Sequence, residues 1–389
     1  MPGGGRWTRP RFSSRSTPLL AGDGTDGCRI RNLPQERPNS RARKRPFFSS
    51  LAAVPAQGPG PVPMVGFAPR FPSRTDPTVP PARIRIATRE SQLAMWQTKH
   101  VAARLAERHP GLQVEIVGMT TKGDQILDRP LAQVGGKGLF IKELEVALSE
   151  GRADIAVHSM KDVPMELPPG FAMVPFGARE DARDAFVSVR HASLEQLPHG
   201  AVVGTSSLRR ESQLRRAFPH LVIKPLRGNV NTRLAKLDAG NYDAIILASA
   251  GLKRLGFGDR IRGYLPTSLA LPAIGQGILA IEYPADRADL AAILAPFVEE
   301  AARVAADAER ALGLVVEGSC EVPLGAHASV AGSTVVLEAF LGMPDGSTLV
   351  RERIEGDARD AAALGTRLGE RLLAAGGRAV LDALPRARP

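Results

Sequence analysis

Cysteine is almost absent from this chain: two residues in 389, Cys28 and Cys320. A disulfide framework is thereby excluded, and a reducing compartment, the cytoplasm, is the expected setting. Aromatic residues make up only 5% of the chain. Basic side chains therefore lack the interleaved stacking partners of a nucleic-acid groove, and no nucleic acid is expected as a ligand. The longest apolar run of the body, Ala244-Ile245-Ile246-Leu247-Ala248-Ser249-Ala250-Gly251-Leu252, is about half of what a membrane span needs. The seven histidines are scattered and none pairs with a thiol at zinc spacing, so no metal site is expected.

Positive charge is abundant, but it is unevenly placed. The formal net charge is +11, from 51 Lys plus Arg against 40 Asp plus Glu. Residues 1–80 hold 13 of those basic residues and 4 of the acidic ones, together with 14 of the 32 prolines. Residues 81–389 are left with 38 against 36, close to neutral. The leader shows neither helical nor strand periodicity, and its Arg41-Ala42-Arg43-Lys44-Arg45 run lies among Pro, Gly and Ser. Too little apolar surface is available there to offset ordering entropy, so disorder is expected over 1–80. No apolar core follows the early arginines, which argues against a secretory signal. Three readings of the leader stand: a disordered extension, an upstream start with Met64 as the true one, or an organelle transit peptide, which would change the location.

From residue 83 the pattern changes. Arg83-Ile84-Arg85-Ile86-Ala87 alternates as a strand, and Ala94, Thr98, Val101 and Leu105 recur at helical spacing. Further strands are expected at 114–117, 153–157, 171–175, 185–189, 201–204, 221–225 and 244–248. Helices are expected at 138–149, 207–218 and 229–239. Alternating strands and helices predict α/β layers with largely parallel sheets. Beyond residue 290 the pattern is α+β: one long helix over 290–312, a hairpin of 335–341 and 348–354 turned at Pro344-Asp345-Gly346, and a final helix over 358–375.

Within this near-neutral body, cationic residues gather at strand-to-helix junctions. Arg89 follows the first strand, with Ser91 opening the helix. Lys161 follows strand 153–157. Thr205-Ser206-Ser207-Leu208-Arg209-Arg210 follows strand 201–204, Arg227 follows strand 221–225 with Arg233 a turn later, and Arg254 follows strand 244–248. The carboxyl edge of an open α/β sheet is where ligands bind, and free helix N–H groups with forked guanidinium groups suit carboxylates or phosphates. Each such residue alone reads as solvated surface. Together they point to a ligand with several negative groups, each charge-assisted bond contributing roughly 1.5–3 kcal/mol.

Three motifs add chemistry. Gly135-Gly136-Lys137-Gly138 lacks the spacing of a phosphate loop and reads as a lid or hinge with wide backbone freedom. In His158-Ser159-Met160-Lys161-Asp162-Val163-Pro164, Asp162 is the only carboxylate the sequence sets within the basic group. It reads either as a surface partner of Lys161 or as a stabiliser of a cation in the substrate. Cys320 lies in Glu317-Gly318-Ser319-Cys320-Glu321-Val322-Pro323 and reads as buried filler or as the site of a covalent adduct. Its neighbouring glutamates oppose a fast thiolate nucleophile but not a permanent linkage.

These stretches, with Ala87-Thr88-Arg89-Glu90-Ser91, Val134-Gly135-Gly136-Lys137-Gly138-Leu139-Phe140, Leu226-Arg227-Gly228-Asn229-Val230 and Leu271-Pro272-Ala273-Ile274-Gly275-Gln276-Gly277, resemble the hydroxymethylbilane synthase (porphobilinogen deaminase) family, in the family's order. The resemblance covers about 83–385. It implies two periplasmic-binding-protein-like α/β domains forming a cleft, 81–180 plus 278–295 and 183–274, and a C-terminal α+β domain over 300–389. It also implies a monomeric transferase that joins four porphobilinogen molecules head to tail with release of ammonia. The implied cofactor is a dipyrromethane made from substrate and held by a thioether at Cys320. Asp162 matches the family's catalytic aspartate. Arg89, Ser91, Lys161, Ser207, Arg209, Arg210, Arg227, Arg233 and Arg254 match positions that bind cofactor and substrate carboxylates. Two departures are visible: Gln133 stands where many members have a lysine, and Glu321 where Gln commonly follows the cysteine.

Deleting residues 1–63 is expected to leave turnover unchanged while abolishing any salt-sensitive affinity for nucleic acid. Loss of turnover in the truncated protein would show that the leader belongs to the working enzyme.

Overall fold

A computed structural model describes residues 81–121, 123, 141–317 and 322–384, together with the backbone of the two-residue strand β1, Ile30–Arg31. The disorder expected for the rest of the leader lies outside the described residues.

The first sheet begins with β2 (Arg83–Arg89), whose Ile84, Ile86 and Ala87 are fully buried. Helix α1 (Gln92–Arg108) packs on it through Val101 and Leu105 and is capped by Ser91, whose side chain accepts from Ala94 N–H. β3 (Gln113–Met119), α2 (Lys142–Ser149), β4 (Ile155–Ser159) and β5 (Phe171–Phe176) follow. The chain then leaves for the second sheet, built from β6 (Asp184–Val187), β7 (Val202–Gly204), α3 (Leu208–Ala217), β8 (Val222–Lys224), α4 (Val230–Asp238), β9 (Ala244–Ala248), α5 (Ser249–Arg254) and β10 (Gly263–Tyr264). It returns through β11 (Leu279–Pro284), which inserts between β4 and β5. The strand orders are β1-β3-β2-β4-β11-β5 and β10-β6-β9-β7-β8.

The sheets are mixed rather than largely parallel. β2 pairs in parallel with β3 and β4, and β7 with β8 and β9. β11 is antiparallel to both neighbours, and β6 is antiparallel to β9 and β10. A strand that arrives from the other sheet, without a covering helical crossover, enters from the opposite end. β11 escaped the sequence reading because all six of its residues are buried, which erases the two-residue alternation.

The C-terminal part also differs from expectation at its start. The helix predicted over 290–312 is two helices, α6 (Ala288–Leu294) and α7 (Glu300–Val315), with Pro296 in the intervening 3-10 turn. Proline removes an amide donor and clashes with the preceding turn. Phe297 of the same turn is buried and stacks on Phe176 at 4.7 Å. Just past the end of α7, Glu317, at φ 54°, turns the chain away from the helix axis. The hairpin is present as β13 (Thr334–Gly342) and β14 (Leu349–Asp357), with an additional strand, β12 (Leu324–Ala331), on its other side. Helix α8 (Ala361–Leu372) closes a core of Leu312, Leu337, Leu341, Leu364 and Leu368. Past Gly376, at φ 116°, a short α9 (Arg378–Ala383) follows.

Two connectors, 177–183 and 265–278, join the first two sheets. At their contact Gly277 has φ 93°, and a Cβ there would lie 2.2 Å from the Glu180 carbonyl oxygen. Gly277→Ala is therefore expected to lower unfolding free energy by about 2 kcal/mol or more, read as a lower Tm. An unchanged Tm would mean that the connectors are not packed this closely.

Candidate active site

The His158-to-Pro164 motif folds as the end of β4 followed by a 3-10 turn, Met160–Asp162. Met160 anchors the turn: it is 1% exposed, its N–H donates to the Ile278 carbonyl, and its side chain lies against Gly275. Asp162, two residues on, is exposed, and Lys161 between them is partly exposed. Ser159 at the strand end accepts from the Gln97 amide at 2.8 Å, which ties the turn to α1. His158 of the same motif points elsewhere: its Nε2 lies 2.9 Å from the Glu282 carboxylate in the buried sheet.

The second sheet supplies the facing charges. The loop after β7 is fixed by Ser206, whose hydroxyl donates to the Leu226 carbonyl and accepts from the Leu226 N–H, both at 3.0 Å. Ser207 then stands at the N-terminus of α3, its N–H donating to the Thr205 hydroxyl. Arg209 and Arg210 follow in the first turn and are both buried. They converge on one carboxylate, that of Asp184, each at 2.8 Å. Arg209 also donates to the Leu271 carbonyl, and Arg210 to the Ile246 carbonyl. The Gln276 amide donates to Asp184 at 2.9 Å and to the Ala182 carbonyl at 2.6 Å, while its oxygen lies 3.5 Å from the Lys161 ammonium. Asp184 is thus a second carboxylate in the basic group, and the expectation that Asp162 stands there alone is corrected. Its partners are 25, 26 and 92 residues away along the chain, so no local pattern marks it. Gln276 was inside a recognised stretch, Leu271 to Gly277, without an assigned role.

Positive charge outweighs negative here, and the titration of the cations reflects it. Burial, opposed by Asp162 and Asp184 and reinforced by Arg210 and Arg209, brings the Lys161 ammonium down to about 8. Burial, with the Arg210 and Arg227 charges, brings Arg233 to about 10. Burial also lowers Arg227. Lys161, Asp162, Arg209, Arg210, Arg227 and Arg233 therefore form one electrostatic cluster between the two sheets. Arg233 is oriented by a bond from its Nε to the Gly228 carbonyl at 2.7 Å. Arg254 lies toward the connectors, donating to the Gly277 carbonyl at 2.7 Å, and burial lowers its pKa to about 10. Arg89 and Ser91 stand at the end of β2 and the start of α1. Cys320 with Glu321, and Gln133 with Gly135, Gly136, Lys137 and Gly138, lie outside the described residues.

One donor in the cluster is left over. The Nε of Arg210 is buried and without a hydrogen-bond partner among the described residues. A buried unmet donor costs free energy, and here it belongs to a cation in a positively charged pocket. A polycarboxylate group fits this donor set. Among the described residues no group of three or more His, Cys, Asp or Glu could hold a metal, and no helix is long and apolar enough to cross a membrane.

The two mixed α/β sheets, with the charged site between them and an α+β C-terminal part, define a two-lobed α/β enzyme for an anionic ligand. The family model described as porphobilinogen deaminase, dipyromethane cofactor binding domain, matches residues 84–292, and that of the porphobilinogen deaminase C-terminal domain matches 304–374. The chain belongs to the porphobilinogen deaminase family. It is 59% identical over 302 residues to the porphobilinogen deaminase of Thiobacillus denitrificans, covering 78% of this chain and 99% of that protein. It is 58% identical to that of Chromobacterium violaceum, covering 78% and 98%. The periplasmic aliphatic sulphonate binding protein SsuA from Escherichia coli covers 60% of this chain and 70% of its own at 17% identity and a TM-score of 0.34, a likeness too distant to support an argument. The chain is accordingly a transferase of tetrapyrrole biosynthesis that condenses porphobilinogen to hydroxymethylbilane, with a dipyrromethane cofactor.

Proposed function

We propose the following division of labour among the residues of this site. The observation that carries it is the cluster of buried and partly buried cations, one with a donor unmet among the described residues, around the exposed carboxylate of Asp162. Porphobilinogen carries acetate and propionate groups, so the growing chain is a polyanion. Lys161, Arg209, Arg210, Arg227, Arg233, Arg254 and Arg89, with the hydroxyls of Ser91 and Ser207, pair with those carboxylates and hold successive rings in place. When bound through the Cys320 thioether, the dipyrromethane supplies the pyrrole α-carbon to which the first substrate is joined.

Loss of ammonia from porphobilinogen leaves a methylene-pyrrolenine cation. The exposed Asp162 carboxylate would face the pyrrole N–H groups of a bound chain and stabilise that positive charge as it develops. The same carboxylate takes up the proton released from the α-carbon when the new carbon–carbon bond forms, and passes it on. Residues 81–180 with 278–295, 183–274 and 300–389 are the three folding units, and the enzyme works as a monomer in the cytoplasm without nucleic acid.

Asp162→Asn is nearly isosteric and removes the charge alone. Turnover is expected to fall on the order of a hundredfold or more, with the circular dichroism spectrum and the covalent cofactor retained. Near-normal turnover in a cofactor-loaded Asp162→Asn protein rejects the role given to this carboxylate.

A further inference from the structure

Asp184 belongs to no recognised motif, yet it is the most heavily bonded carboxylate of the site. It opens β6 and is 0% exposed. One of its oxygens accepts from Arg209, the other from Arg210 and from the Gln276 amide. Arg209 and Arg210 are consecutive on a helix, where successive side chains diverge by about 100° around the axis. Two such neighbours reach one carboxylate only if both bend to it, so the carboxylate fixes the place of both guanidinium groups. Arg209 has its remaining terminal nitrogen on the Leu271 carbonyl and Arg210 on the Ile246 carbonyl. Each guanidinium is thereby held at two points, and Arg210 is left with its Nε edge uncommitted.

The charge count around Lys161 gives Asp184 a second consequence. The charged groups that act on the Lys161 ammonium are Asp162 on its own turn, Asp184 on β6, and Arg209 and Arg210 on α3; the Gln276 amide oxygen is the nearest neutral acceptor. Two negative groups thus oppose two positive ones. Removing either carboxylate leaves the ammonium facing a net positive environment.

We infer that Asp184 is a positioning residue for the condensation: it fixes the Arg209 and Arg210 guanidinium groups and, through the Gln276 side chain that reaches both it and Lys161, sets its charge near the Lys161 ammonium. This rests on the roles proposed above for Lys161 and the two arginines. Loss of the Asp184 charge disfavours the protonated amine, so the lysine titrates at lower pH. Loss of a neighbouring guanidinium acts in the opposite sense. The alkaline side of the activity profile therefore moves down in Asp184→Asn and up in Arg209→Gln.

The test is the pH profile of kcat and kcat/KM for porphobilinogen, measured on cofactor-loaded wild-type, Asp184→Asn and Arg209→Gln proteins. In Asp184→Asn the alkaline limb is expected about one pH unit lower, with kcat/KM reduced more than kcat because the substrate-binding arginines are no longer held. In Arg209→Gln the limb is expected to lie above that of the wild type. If Asp184→Asn does not fold, Asp184→Glu carries the test: with the charge kept and the two guanidinium groups displaced, kcat/KM is expected to fall more than kcat while the limb stays near that of the wild type, and equal losses in both overturn the inference. Limbs that coincide in all folded variants overturn it, since a carboxylate with a merely structural role lowers protein yield or Tm and leaves the profile where it was. A wild-type protein that carries no covalent cofactor and turns over no porphobilinogen would instead strike the underlying functional reading.

Discussion

One buried carboxylate shared by two adjacent arginines holds this site together. Asp184 has no exposure to solvent, and the guanidinium groups on it are nearly as enclosed. An ionised aspartate is tolerable there only because Arg209, Arg210 and Gln276 satisfy it together, which keeps its pKa far below the usual carboxylate range despite burial. Breaking such a pair from one side costs about 3–5 kcal/mol, because the remaining charge stays buried without compensation. The same bonds face the cations toward the space between the sheets. In the proposed assignment, polyanion binding and the integrity of the second sheet therefore depend on the same atoms.

Gln276 extends this constraint across the molecule. Its side chain bonds both Asp184 and the Ala182 carbonyl of the first connector, and its backbone carbonyl accepts from Arg179 at 2.9 Å. Arg179 is in turn paired with Glu309 of α7 at 2.6 Å. The Glu309 carboxylate also accepts from the backbone N–H groups of Gly275 and Ala328, both at 2.7 Å. A continuous chain of buried polar contacts therefore runs from β12 and α7, through the returning connector, to the charged site. The middle of α7, at Glu309, is thereby tied to the connector that carries Gln276. Glycines at 275 and 277, with φ of 69° and 93°, let the connector pass close enough for these contacts.

Much of the architecture was legible from periodicity. β2, α1 and the β13–β14 hairpin appear close to where alternation and turn residues put them, because each buries one face more than the other, and β9, buried on both faces, appears where a short apolar run put it. β11 and β12 were not legible: the first is buried on both faces, and the second, Leu-Gly-Ala-His-Ala-Ser-Val-Ala, has few β-branched residues. The cations of the site were legible because strand ends concentrate them. Asp184 was not, since a carboxylate at the start of a strand looks like any turn residue until distant arginines are folded onto it. The Cys320 loop was recognisable only as a motif.

The central claim is that these fixed charges hold a polycarboxylate built in place on a covalent primer. It is tested most directly by intact and peptide mass spectrometry of the full chain, as purified and after mixing with limiting porphobilinogen. The account predicts a dipyrromethane increment on the Cys320 peptide, followed by a ladder of further increments, each one porphobilinogen less ammonia. An active protein whose Cys320 peptide is unmodified, or one that forms product with no such ladder, would contradict it.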